Sequence, residues 1–218
     1  MIKKIKSSIF AKFALSFLII ILLFGIASYI EYHYSHKVLE MEKEIIEMEE
    51  YQLHLSSLEI DHHLWAMSIY DMLVGGEPPE LGNHTECNLG QWYYDMNPED
   101  YLKEPFNAME EPHKKLHSLG QEVVSLYESG NEEEAIRMFR EDVMPNLNMV
   151  RENLAEMSDL TQNEIEKLKE EEAQIEQFSN MIFFLATGIT LILSGIIAYF
   201  LTKSTVNPVN RLVERSKE

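Results

Sequence analysis

The hydrophobic positions of this chain fall into two regimes, unbroken runs near either end and sparse helical stripes between them. Phe13 to Ile30 is 18 residues without a charge, bounded by Lys12 and Glu31. Phe178 to Thr202 is 25 residues without a charge, ending at Lys203. A helix crosses the hydrocarbon of a bilayer in about 20 apolar residues, so both runs predict membrane-spanning helices. Between them, from Met41 to Met72, apolar residues recur at 41, 45, 48, 55, 58, 65, 69 and 72. That alternation of threes and fours marks one face of a helix. Gly75, Gly76, Pro78 and Pro79 end it. The first span is therefore expected to continue outward as one helix of about 60 residues, roughly 90 Å at 1.5 Å per residue.

Residues 77–97 show no clean period and several turn formers, which predicts a loop with a short turn around Cys87. Asn97-Pro98 reads as a cap followed by proline at a first helical position, opening a helix to about Met109. Pro112 opens another, to Tyr127, closed by Ser129-Gly130. Asn131 is expected to cap the last helix, with Glu132, Glu133 and Glu134 favouring the dipole of its first turn. The stripe of that helix is Ile136, Phe139, Val143, Leu147, Val150, Leu154, Met157 and Leu160. Pro145 lies within it and predicts a kink or a restart. Beyond Leu160 the pattern thins to Ile165, Leu168, Ile175 and Phe178 and enters the second apolar run without a breaker. Two long helices continuous with two spans, plus a shorter central pair, predict an all-α chain. Its form is an antiparallel four-helix bundle anchored by two transmembrane helices. The weak stripes near the membrane, Ile45 with Met48 and Ile165 with Leu168, call for partners that a parallel homodimer would supply.

Charge orients this arrangement. Lys3, Lys4, Lys6 and Lys12 precede the first run, and Lys203, Arg211, Arg215 and Lys217 follow the second, so both flanks belong in the cytoplasm. The domain expectation is a cytoplasmic 1–12, spans at 13–30 and 178–202, an exported 31–177 and a cytoplasmic 203–218. In a two-membrane cell this is an inner-membrane protein with 31–177 in the periplasm. The lysines ahead of the first run also resemble a signal-peptide start, with small residues at Gly25–Ser28. The run is long for such a peptide and lacks a clear A-x-A site, which favours an uncleaved anchor. Residues 31–179 hold 35 Asp plus Glu against 10 Lys plus Arg, a net of −25. No basic footprint for nucleic acid exists there; the acids read as solvated helix faces.

The chemistry resides in histidines and one thiol. Cys87 is the single cysteine, so it forms no intrachain disulfide and remains a free thiol, an intermolecular bridge or a metal-bound thiolate. His62 falls between Leu58 and Trp65 on the apolar stripe, while His63 lies about 100° away and is expected to be more exposed. His113 and His117, four apart on one helix, share a face with Leu116 and Gly120. One inward histidine reads as a hydrogen-bonded core residue; three beside a lone cysteine form a borderline-soft tetrahedral set that suits Zn²⁺. His84, three residues before Cys87, is the alternative ligand. His33 and His36 read as interfacial residues near Tyr32 and Tyr34, and His54 as a surface residue.

The spacing His62-x-x-Trp65, Cys87-x-Leu89-Gly90-x-Trp92 and His113-x-x-x-His117 closely resembles the chemoreceptor zinc-binding (CZB) family over roughly residues 55–130. The resemblance implies a four-helix fold, zinc held by His62, Cys87, His113 and His117, and packing roles for Trp65, Gly90 and Trp92. Familiar members are soluble cytoplasmic modules, whereas here the motif lies between two spans. After the second span, Val206-Asn207-Pro208-Val209-Asn210-Arg211-Leu212 resembles the opening of a HAMP signal relay, and an output domain is expected beyond Glu218. The expected function is an extracytoplasmic zinc-binding sensor of a chemotaxis-type receptor. It would report metal or redox state through its last helix to cytoplasmic signalling proteins. The alternatives are a small-molecule sensor in which zinc is only a structural clip, and the input domain of a histidine kinase or diguanylate cyclase. An enzyme is not expected, because four protein ligands leave zinc no open position.

Overall fold

A computed structural model describes residues 9–207, together with 213 and 215; most of these are helical and none is in a strand. In chain order the helices are α1 (Ile9–Leu73), α2 (Asn88–Asp95), α3 (Lys103–Glu128), α4 (Glu132–Met138) and α5 (Met144–Leu201). A single 3₁₀ turn, Asp100–Leu102, leads into α3, and π-helical turns occupy Phe139–Val143 and Thr202–Val206. The chain divides into two units, Glu44–Lys169 and the pair of segments Met1–Lys43 and Glu170–Glu218. Both α1 and the final helix contain stretches long and apolar enough to cross a membrane, with none of either stretch buried in the protein. The residues carrying the HAMP resemblance fall largely outside the described set, as do Lys3, Lys4 and Lys6.

Within Glu44–Lys169 the α1 stripe predicted from sequence turns inward: Ile45, Leu55, Leu58, Ile69 and Met72 are buried. α1 and α5 are laced in opposite directions. Glu49 pairs with Lys169 at 2.8 Å, Gln52 donates to the Ser158 carbonyl at 2.9 Å, and Glu59 pairs with Arg151 at 2.8 Å. Ile45 and Ile165 are both buried within the one chain, so neither is left for a second copy to cover.

The helix ends follow from two glycines. Gly75 has φ +105; its N–H donates to Met72 and that of Gly76 to Asp71. Gly130 has φ +81; its N–H donates to Tyr127 and that of Asn131 to Leu126. Both are paired C-terminal closures that need a left-handed residue, for which only glycine has no Cβ penalty. Asn131 is consumed in the second closure. Its backbone sits at φ −92, ψ 54, and its side chain makes no capping bond, contrary to the expectation from sequence.

Proline placement corrects two further expectations, at Pro98 and Pro112. No helix opens at Pro98; the chain stays irregular to the turn at Asp100. Pro112 opens nothing either and lies inside α3. Losing one helical bond there is outweighed by the buried face on both sides, Phe106 and Met109 before it and Leu116 after. At Pro145 the adjustment is visible. The Met144 N–H bonds back five residues to the Phe139 carbonyl, widening the turn ahead of a ring that would clash with the carbonyl of residue 141. The extra residue shifts the buried seam to Ala135, Phe139 and Val143, and Ile136 is exposed.

Candidate metal centre

The loop expected over 77–97 gives way at Asn88–Asp95 to a helix, α2, which begins immediately after Cys87. Cys87 is the N-cap of α2, where its Sγ accepts the Gly90 N–H at 3.2 Å. The thiol takes the place that Ser, Thr, Asp or Asn ordinarily fills. Leu89 and Tyr93 are buried beneath the helix, and Asn88 Nδ2 donates to Asp61 Oδ2 of α1 at 2.6 Å. Gly90 is required by close approach: a Cβ there would lie 1.8 Å from the His84 carbonyl oxygen. The 84–85 backbone can therefore press against α2 and aim Cys87 inward.

The histidines arrive from two helices. His62 on α1 and His113 and His117 on α3 are each 2% exposed, against an exposed His63. With Cys87, half-buried, their ligand atoms all lie within 4.8 Å of one another. His62 Nε2 is 3.1 Å from His113 Nε2, and Cys87 Sγ is 3.3 Å from His113 Nε2 and 3.7 Å from His62 Nε2. A tetrahedral zinc site has edges of about 3.3 Å between nitrogens and about 3.6 Å between nitrogen and sulfur, given its bond lengths. The separations therefore bracket those a zinc ion imposes.

Hydrogen bonds on the far sides of the rings fix which atoms face the centre. His62 Nδ1–H donates to the Leu58 carbonyl at 2.9 Å, and His117 Nδ1–H to the Gly82 carbonyl at 2.9 Å. Each thereby presents a bare Nε2 inward, the outer-sphere arrangement that orients metal-binding imidazoles. His117 Nε2 is buried and has no hydrogen-bond partner. A lone pair so placed is costly unless something binds it, and a cation satisfies it.

Burial governs the titration of the set. It pushes His113 down to about 2, helped by the neighbouring His62, His117 and His84. It pushes His117 down to about 4, opposed by the Gly82 hydrogen bond, and lowers His62 as well. All three are therefore neutral at pH 7, the form that ligates. Burial raises the Cys87 thiol, while the N–H groups of Gly90 and Leu89 favour its thiolate.

The packing tryptophans complete the site. Trp65 lies 5.0 Å from the His117 ring and against Gly120, where a Cβ would meet its ring at 2.3 Å. Trp92 meets the rings of His54 and Phe106 edge-on and that of Tyr51 at a tilt, packing α2 onto α1 and α3. His84 has its ring 6.2 Å from His113 and lies outside the converging set, which retains His62. His36 stacks on Tyr32. What the sequence did not reveal were the carbonyls of Leu58 and Gly82. The first follows from helical spacing, but the second comes from a loop 35 residues away.

Residues 62–124 match the family described as the chemoreceptor zinc-binding domain, CZB. No curated protein and no solved structure matches the chain. The family match and the His-Cys-His-His group identify Zn²⁺ as the cofactor, and together they fit a zinc-binding module of chemoreceptor type.

Proposed function

We propose that the chain is the input portion of a homodimeric receptor in the inner membrane, with residues 31–177 forming a periplasmic antiparallel four-helix bundle. In this reading His62, Cys87, His113 and His117 hold one zinc ion. The two apolar runs are its anchors, and a HAMP-like relay passes the signal to cytoplasmic proteins through an output domain. The observation that carries it is the buried, unpartnered Nε2 of His117 beside three other donors at zinc spacing. Zinc would supply a positive charge that keeps Cys87 as thiolate. The chain's own part is to hold that sulfur at a helix start, beside α1 and α3. Four protein donors fill a tetrahedral ion, which favours a sensing or structural role over catalysis.

α5 runs from Met144 to Leu201 as one element, which supports a signal carried along it. A few kcal/mol of differential metal affinity between two packings would shift it. Cysteine crosslinking scanned along residues 165–180 in membranes tests this. The pattern should differ between zinc and chelator; an identical pattern, in protein shown to gain and lose the ion, would mean zinc is a clip. The second reading, an organic signal, is favoured by an apolar groove of about 450 Å³ between Tyr70, Val74, Phe139 and Met144. It lies beside the π turn.

A further inference from the structure

α1 and the residue that follows it carry a second apolar stripe, covered by the chain only at its upper end, where Tyr70 meets Phe139. Ile46, Leu53, Ile60, Met67 and Val74 follow one another at intervals of seven, and all are exposed. From Leu53 onward the stripe is widened by Leu64 and Tyr70. These six side chains, Leu53 to Val74, are between 50% and 71% exposed. The buried stripe of the same helix lies on the other side, at Leu55, Leu58, Ile69 and Met72. A seven-residue repeat over at least three heptads is the seam of one helix against another of the same pitch.

Charge sharpens the choice of partner. The chain has a net charge of −19, yet between residues 53 and 70 this arc holds only Ser56, Ser57, His63 and Ser68 besides the stripe. Acids border it: Glu49 and Glu50 below, Asp71 above, and at the sides Glu59 and Asp61, which are engaged by Arg151 and Asn88. Two acidic copies can approach there without setting carboxylates against each other. The exposed area of the six side chains is on the order of 700 Å² per copy, close to the roughly 800 Å² each partner contributes to a standard interface.

We infer that this face is where a second copy of the chain docks, α1 against α1 in parallel, with Leu53, Ile60 and Met67 each meeting its own counterpart across a two-fold axis. The inference rests on the homodimer and membrane-anchor readings above, since anchors in one membrane hold identical helices parallel. It replaces the surface that Ile45 and Ile165 suggested from sequence, which the chain buries by itself.

The test uses the full chain in membranes, with zinc present so that the native Cys87 stays bound. Leu53→Cys, Ile60→Cys and Met67→Cys are compared under mild oxidation with Glu152→Cys, an exposed position on α5, and with the unsubstituted chain. Self-crosslinked dimer should form at all three stripe positions, at least tenfold faster than at residue 152. Crosslinking at only one of the three would indicate antiparallel helices and overturn the parallel seam. A detergent-solubilised dimer by mass that shows no preference for the stripe would place the interface elsewhere while leaving the homodimer standing. A monomer by mass would remove the homodimer reading and the interface with it.

Discussion

The two ends of the α1 segment within Glu44–Lys169 are held together by different physics. Around Leu55, Leu58, Val150, Leu154, Met157 and Ile165 the core is apolar, and its one buried hydroxyl, Thr161, donates to its own helix at the Met157 carbonyl. That hydroxyl is satisfied within its own helix. Around His62 the core is interrupted by three imidazoles and a thiol, and His117 Nε2 has no partner within the protein. Apolar burial dominates the first region, whereas the second presents a buried lone pair that a cation would satisfy. One chain therefore combines an apolar core with a buried donor cluster that a cation would complete.

The largest effect should come from removing zinc. Chelation is expected to cost about 3 kcal/mol or more of apparent stability, since ion binding and folding are linked. Hydrogen exchange should accelerate across residues 82–96 and the centre of α3, while residues 150–165 stay protected. Cys87→Ala and His117→Ala should reproduce that pattern, and His63→Ala should not. Uniform deprotection of both regions would dissolve the contrast.

Leu154→Ala probes the other region. Truncating a buried leucine should cost about 2–5 kcal/mol, yet leave zinc content unchanged, as metal analysis of the purified variant would show. Loss of zinc in this variant would mean the two regions are one cooperative unit.

A pH titration of the metal-free protein sharpens the comparison further. His113 and His117 are held well below the ordinary histidine value of 6.5, so the unfolded chain binds more protons as pH falls. Stability is thus fully present above about pH 6.5 and declines as pH drops toward 4, where His117 protonates in the fold. Denaturant melts at pH 7.5 and pH 5 should show it, and a His113→Phe, His117→Phe variant should flatten the slope. The smallest effect belongs to the surface. Breaking the Glu59–Arg151 pair with Glu59→Gln should change stability by less than about 1 kcal/mol, because both side chains remain partly solvated.

The donor set was legible because it obeys periodicity. His62 sits on an apolar stripe and His113 and His117 one turn apart, so helical geometry alone turns them inward. α1 was legible for the same reason, in both its length and its glycine stop. α2 was missed although Leu89, Trp92, Tyr93 and Met96 have helical spacing, because its cap is a cysteine and Gly90 reads as a breaker. The glycine is there for close approach of the 84–85 backbone, which no local pattern encodes. Pro112 was read as a boundary because a lost backbone bond is a local signal, whereas the buried face that outweighs it is tertiary. Ile136 was misplaced by a single residue, the one the π turn before Pro145 adds. The Gly82 carbonyl behind His117 depends on a loop path that spacing does not determine.

The central claim, that His62, Cys87, His113 and His117 bind one zinc ion, is tested most directly on the full chain purified without chelator. Metal analysis combined with zinc-edge X-ray absorption reads both content and ligand type. The account predicts about one zinc per chain with one sulfur and three nitrogen neighbours, at about 2.3 and 2.0–2.1 Å. A zinc content near zero, or a bound ion surrounded only by oxygen and nitrogen, would contradict it.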